Sequence, residues 1–135
     1  MGEAMSEIPA SYKFTKEHEW LKQEANNRVR VGITDYAQSE LGDVVFIELP
    51  EIGKTVKQGD SLSSVESVKA VSDVYAPVDG RVVEVNTALS GEPQLINQEP
   101  HEGGWIAILE VANSGQISGL LSSEAYSGHL AEISK

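Results

Sequence analysis

A chain of 135 residues, 40% of them hydrophobic and 23% charged, has the size and composition of one globular domain with a core of its own. Its formal charge of −11 argues against nucleic acid and anionic membranes as partners, because neutralising phosphates takes clustered lysine and arginine. The absence of cysteine excludes disulfides, thiol catalysis and zinc–thiolate sites.

The leading residues Met1 to Glu7 are acidic and lack an apolar stretch, so they do not read as a signal or transit peptide. Met5 is expected to be the natural start, and residues 1–10 to be flexible or in part an added extension. Arg28-Val29-Arg30-Val31 alternates polar and apolar side chains, as a half-buried strand does. Thr34 to Gly42 reads as a short helix, with Thr34 as its cap, Asp35 at the positive end of the dipole and Gly42 as its stop. Asp43 to Leu49 is a β-rich run ended by Pro50 and Gly53. Lys57 to Asp60 is a turn, Ser61 to Val68 an alternating strand, and Ala70 to Tyr75 the return strand. Pro77-Val78-Asp79-Gly80 is a turn before a strand over Arg81 to Val85. Thr87 to Gly104 carries three glycines and two prolines and is expected to be mostly loop. A final strand covers Trp105 to Val111, and a C-terminal helix Ser122 to Ile133 has Ala125, Leu130 and Ile133 on its apolar side. A weak echo, Pro-x-x-Gly-x-x-Val at Pro50 and again at Pro77, suggests two similar β-halves packed on each other. The apolar runs, such as Val44 to Ile47 and Trp105 to Leu109, are too short to span a membrane.

Chemistry concentrates at Val65-Glu66-Ser67-Val68-Lys69-Ala70-Val71-Ser72-Asp73-Val74. Alternation runs into Lys69 from one side and out on the other, which puts that lysine at or near a hairpin tip. A lone lysine on a turn is usually only a solvated side chain. The string Glu66-Ser67-Val68-Lys69-Ala70, however, resembles the lipoyl-attachment hairpin. A biotin-carrying hairpin normally has methionine on each side of the lysine, where this chain has Val68 and Ala70.

Further strings extend the likeness. Lys16 to Trp20, Val31 to Gln38, Leu41 to Pro50, Ala76 to Gly80, Glu84 to Asn86, Leu95 to Asn97 and Gly103 to Trp105 are similar, in order and spacing, to the glycine cleavage system H proteins. The resemblance runs from about Tyr12 to Tyr126. A lipoyl domain of a 2-oxoacid dehydrogenase would share the hairpin but lack most of these flanks.

The resemblance implies a mainly β fold, a flattened barrel or sandwich of the lipoyl-domain type with a few short helices, residues 1–135 forming one carrier domain. It implies a carrier and not an enzyme, with lipoate joined covalently to Lys69 as N6-lipoyllysine by a lipoate ligase or a lipoyl or octanoyl transferase. Such a carrier takes the aminomethyl group left by the pyridoxal-phosphate P protein, presents it to the folate-dependent T protein, and is reoxidised by the flavoprotein L protein. Lipoate would supply the dithiol that a cysteine-free chain lacks. By the same carry-over, Glu19 and Asp73 stand where the family's carboxylates contact the folded-back arm, and a carboxylate suits a protonated amine. Glu17 replaces the serine that relatives often carry there. Glu66 is a candidate recognition feature for the lipoylating enzyme. A monomer is expected, in the bacterial cytoplasm or, for a mature eukaryotic form, the mitochondrial matrix.

Other readings are weaker. His18, His101 and His129 show no metal-ligand spacing, so no metal site is expected, and His18 and His101 read as surface or loop residues. Trp20 and Trp105 read as packing residues. A lipoyl relay to other complexes, an unmodified binding domain, or a small enzyme using His18 with Glu17 and Glu19 are the competing functions. The last predicts turnover after Lys69→Arg, where a carrier predicts total loss.

Overall fold

The computed structural model describes residues 7–133. The strands are β1 (Lys13–Phe14), β2 (Glu19–Glu24), β3 (Arg28–Ile33), β4 (Val44–Glu48), β5 (Thr55–Val56), β6 (Ser61–Ser67), β7 (Val71–Tyr75), β8 (Gly80–Val85) and β9 (Ala107–Val111). They form a six-stranded sheet ordered β1-β2-β3-β9-β8-β5 and a three-stranded sheet ordered β4-β6-β7. All pairings are antiparallel. Alternation decides which side chains enter the space between the sheets, since successive residues of a strand face opposite ways. Val29, Val31, Val82, Leu109 and Val111 from one sheet join Val44, Ile47, Leu62, Val65 and Val74 from the other in one buried core. The two sheets stay separate, so the expected flattened barrel takes its sandwich form.

Helix α1 (Asp35–Leu41) starts where Thr34 Oγ1 accepts the Ala37 N–H at 3.2 Å, and it ends at Gly42, whose φ of 81° suits glycine. The segment expected to be loop holds two single turns, α2 (Ala88–Gly91) and α3 (Leu95–Gln98), which bury Leu89 and Ile96. Four residues are too few to show helical periodicity in a sequence. Asn97 binds this segment to the end of α1. Its amide donates to Gln38 Oε1 and the Gly42 carbonyl and its Oδ1 accepts the Val44 N–H, all within 3.0 Å. The final strand begins at Ala107 and not at Trp105, because the Trp105 carbonyl is taken by the Asn86 side chain.

Helix α4 (Ser123–Ile133) is capped by Ser122 Oγ, which accepts the Ala125 N–H. Its buried face is Tyr126 and Leu130, while Ala125 and Ile133 are exposed, a correction to the expected stripe. The face is chosen by what it meets, a second cluster of Tyr12, Phe14, Trp20, Tyr126 and Leu130 in which Tyr126 stacks on Phe14 at 4.7 Å. The two copies of the Pro-x-x-Gly echo do not build two halves packed face to face. Thr55 and Val56 of the first pair with Arg81 and Gly80 of the second, side by side in one sheet. Residues 1–6, including Met5, lie outside the described residues. Glu7 N–H donates to Asp35 Oδ2, and Ile8 packs against the aromatic cluster.

Candidate functional site

Lys69 occupies the turn between β6 and β7, exposed to solvent. Ser67 builds that turn. Its buried hydroxyl accepts the N–H groups of Lys69 at 3.2 Å and Ala70 at 3.1 Å, while its own N–H donates to the Ala70 carbonyl at 2.7 Å. A second tie, Val68 N–H to the Asp43 carbonyl at 3.0 Å, holds the tip against the segment leading into β4. The turn is therefore fixed at both corners, while the lysine amine takes no hydrogen-bond or ion-pair partner among the described residues. The end of α1 lies alongside it, and a Cβ added to Gly42 would sit 3.6 Å from Lys69 Cε.

Behind the hairpin is a cleft of about 330 Å³, enclosed by the start of β2, helix α1 and the stem of the hairpin. Glu17, Glu19, Glu40 and Asp73 all line it, with His18, Tyr36 and Ser72. Two residues singled out from the sequence, Glu19 and Asp73, thus meet in one cleft although 54 positions separate their numbers. They sit there differently. Glu19 is buried, with Oε1 accepting the Thr15 hydroxyl and Oε2 the Tyr75 N–H at 3.1 Å. Burial pushes its carboxyl above the usual carboxylate range, and the hydrogen bonds from Thr15 and Tyr75 oppose that only in part. Asp73 is exposed at the rim on the edge strand β7, where it accepts from Ser61 Oγ at 3.3 Å. Glu17 is exposed on the lip of the same cleft. Glu66 lies on the outer face of the three-stranded sheet, between Phe46 and Val71.

His18 and His101 lie in loops, as expected, with their rings packed against the fold. His18 is half-buried, with Nδ1 2.8 Å from the Tyr126 hydroxyl, which also bonds to Thr34 Oγ1 at 2.7 Å. It joins α4, the cleft and the cap of α1. His101 is buried, and its Nε2 accepts the Asp35 N–H at 3.2 Å. Both thus lie in loops, His18 still half-exposed and His101 withdrawn from the surface, and desolvation lowers both below the ordinary histidine range. Among the described residues no three His, Asp or Glu side chains gather as a metal site. Trp20 is fully buried and donates to the Pro100 carbonyl, while Trp105 is half-buried under the Arg30 guanidinium at 4.7 Å.

A family model described as Glycine cleavage H-protein matches residues 12–133. The chain belongs to the glycine cleavage H-protein family. A glycine cleavage system H protein of Escherichia coli O7:K1 is 51% identical over 128 residues, which cover 95% of this chain and 99% of the relative. The corresponding protein of the K12 strain DH10B is 50% identical over the same span. Among solved structures, that of a glycine cleavage system H protein from Mycobacterium marinum matches with a TM-score of 0.83 and 40% identity, covering 92% of this chain and 99% of its own.

Within this family frame, several strings that carry the likeness are architectural. Asn97 ties α3 to α1 and β4, and Asn86 holds the carbonyls of Gly103 and Trp105. Among the polar residues that line the cleft, Tyr36, Glu40 and Ser72 were given no role by the sequence. Helical spacing from Tyr36 to Glu40 puts those two on one face of α1, but nothing in the sequence shows that this face meets β7.

Proposed function

We propose that this chain is a lipoyl carrier of the glycine cleavage system, with Lys69 as its attachment point and no catalytic residue of its own. The observation that carries the reading is the placement of Lys69, an exposed lysine on a turn clamped by Ser67, beside a cleft rimmed with carboxylates. The residues fit the group. The amine is accessible for acylation, and the rigid hairpin gives an attached arm a defined origin. When bound, the lipoyl group supplies the dithiol on which an aminomethyl group is carried between the pyridoxal-phosphate decarboxylase, the folate-dependent transferase and the flavoprotein that restores the disulfide.

The chain's own contribution is position and charge. Tethering raises the local concentration of the carried group at each partner's site without new contacts. From Lys69 to Asp73 the hairpin spans roughly 13 Å at about 3.3 Å per residue, so the cleft lies within reach of a long arm folded along β7. There Asp73 and Glu19 would hold the protonated amine of the carried group, and the cleft walls would keep water away. Asp73 offers an exposed carboxylate. Glu19, although already bonded twice, keeps lone pairs for a third donor. Glu66 on the outer face would be read by the lipoylating enzyme.

Mass spectrometry after treatment with a lipoate–protein ligase, lipoate and ATP tests this directly. One lipoyl increment is expected on Lys69 and none in Lys69→Arg, which should also lose all glycine-dependent turnover with the partner enzymes. Turnover retained in Lys69→Arg would overturn the carrier reading in favour of acid–base chemistry at His18.

A further inference from the structure

One side chain of the cleft has no part in the carrier reading, His18. Its backbone is left-handed, with φ of 76°. Glycine takes that conformation more readily, so the backbone does not account for a histidine here. The turn that presents the ring is pinned on both sides. The His18 N–H donates to the Thr15 carbonyl at 3.1 Å, and its carbonyl accepts the Thr34 N–H at 3.0 Å.

Hydrogen-bond capacity decides where the ring carries its hydrogen. The Tyr126 hydroxyl stands between His18 Nδ1 at 2.8 Å and Thr34 Oγ1 at 2.7 Å. Thr34 is fully buried, and its oxygen already accepts the Ala37 N–H. Among the described residues the Thr34 hydroxyl hydrogen has no acceptor but the Tyr126 oxygen. Thr34 therefore donates to Tyr126, and the fully buried Tyr126 donates to Nδ1. The opposite order would strand a buried hydroxyl hydrogen. Neutral His18 thus carries its hydrogen on Nε2, which has no partner among the described residues and is not sealed from solvent.

The surroundings would otherwise charge this ring. Glu17, Glu19, Glu40 and Asp73 line the same cleft, and nearby carboxylates favour an imidazolium. Tyr36 of α1 packs on the ring with centroids 4.7 Å apart, and His129 of α4 stands at 5.8 Å. Desolvation and His129 outweigh Glu17 and Glu40, which leaves the ring below the ordinary histidine range. Protonation would also make Nδ1 a donor and reverse the chain back to Thr34. An imidazolium here would pair with the carboxylates that a carried ammonium needs.

Resting on the carrier reading, we infer that the C-terminal helix completes the cleft: Tyr126 is a positioning residue that fixes the His18 imidazole as an Nε2–H donor, so that the carboxylates meet the ammonium of the carried group and not a cation of the protein's own. His18 is then a specificity-determining residue for a cationic cargo. Tyr126 acts on that cargo only through His18.

Two measurements test this. The first takes the full chain before lipoylation and follows its imidazoles across pH by nitrogen–proton correlation spectroscopy. Wild-type His18 should carry its hydrogen on Nε2. Tyr126→Phe keeps the ring that stacks on Phe14 but lacks the hydroxyl, and should raise the His18 midpoint by about one pH unit, the worth of one hydrogen bond. A wild-type hydrogen on Nδ1, or an unmoved midpoint in Tyr126→Phe, overturns the inference and leaves the carrier reading standing. The second takes the lipoylated chain, loaded from glycine by the decarboxylase and then separated from it. Loss of the carried group takes up one water, breaks the C–S and C–N bonds, and gives the thiol, formaldehyde and ammonium, so formaldehyde is followed. His18→Gln keeps a neutral N–H and takes up no proton, which makes it the reference. The wild-type rate relative to His18→Gln should be near one at about pH 8 and rise severalfold by about pH 5, and in Tyr126→Phe that rise should come about one pH unit higher. A merely structural Tyr126 would speed loss equally at every pH. That result, or a wild-type ratio flat across pH, overturns the inference. A wild type that accepts no lipoyl group overturns the carrier reading and the inference with it.

Discussion

Glu19 is where structure and electrostatics pull against each other, and its substitution separates them. In the fold its carboxyl accepts the Thr15 hydroxyl and the Tyr75 N–H, joining the start of β2 to the end of β7. Truncation in Glu19→Ala strands these donors, and losing the partner of a buried donor costs about 1–3 kcal/mol. For a chain of this size, at roughly 3–5 °C per kcal/mol, melting should fall by about 3–15 °C. The pH dependence carries the sharper information. Burial raises the folded carboxyl above its unfolded value, so folding favours the protonated form. The stability Glu19 contributes is therefore fully present below the unfolded value of about 4.3 and declines as pH rises through the folded value. Glu19→Gln imitates the protonated side chain. Thermal melts followed by circular dichroism should show wild type and Glu19→Gln close together at about pH 4, with the wild type losing ground as pH rises towards about 7. A wild-type minus Glu19→Gln difference that stays constant across that range would refute burial as the dominant influence on this carboxyl.

Gly32 lies opposite Trp20 across β2 and β3, and a Cβ there would sit 2.6 Å from Trp20 Cζ2. Gly32→Ala should cost about 1–3 kcal/mol through overpacking, read as a lower denaturation midpoint at unchanged slope. Ser67→Ala leaves the N–H groups of Lys69 and Ala70 without their acceptor, so amide exchange at the turn should accelerate and lipoylation slow severalfold, with stability down by about 1 kcal/mol. His18 and His101 both have their folded values lowered, so their stabilising contribution is present above the unfolded value near 6.5 and is lost as pH falls below that and through the folded values. Around His18 stand His129, Glu17, Glu40, Tyr36 and Tyr126, and around His101 stand Asp35, Glu7 and Glu102. A melting temperature that drops between about pH 7 and pH 5 in the wild type should drop less in His101→Gln.

Local rules carried much of this molecule. Alternation and turn residues were enough to place β4, β6, β7 and β8 within a residue or two, and Thr34 and Gly42 bounded α1 because caps act within a single turn of backbone. Lys69 was legible for the same reason, since a hairpin tip is a local feature. Tertiary structure decided the rest. Glu19 became a buried, doubly bonded carboxylate only when β2 came against the end of β7, and the same approach of β2, α1 and the hairpin made the cleft. His101 was buried by contacts with Tyr12, Trp20 and Asp35 that no neighbouring residue announces. The face of α4 was chosen by Phe14, more than a hundred positions away. Hydrophobic periodicity reports which side of an element is apolar, but burial and titration depend on what covers that side, and only the packed chain determines that.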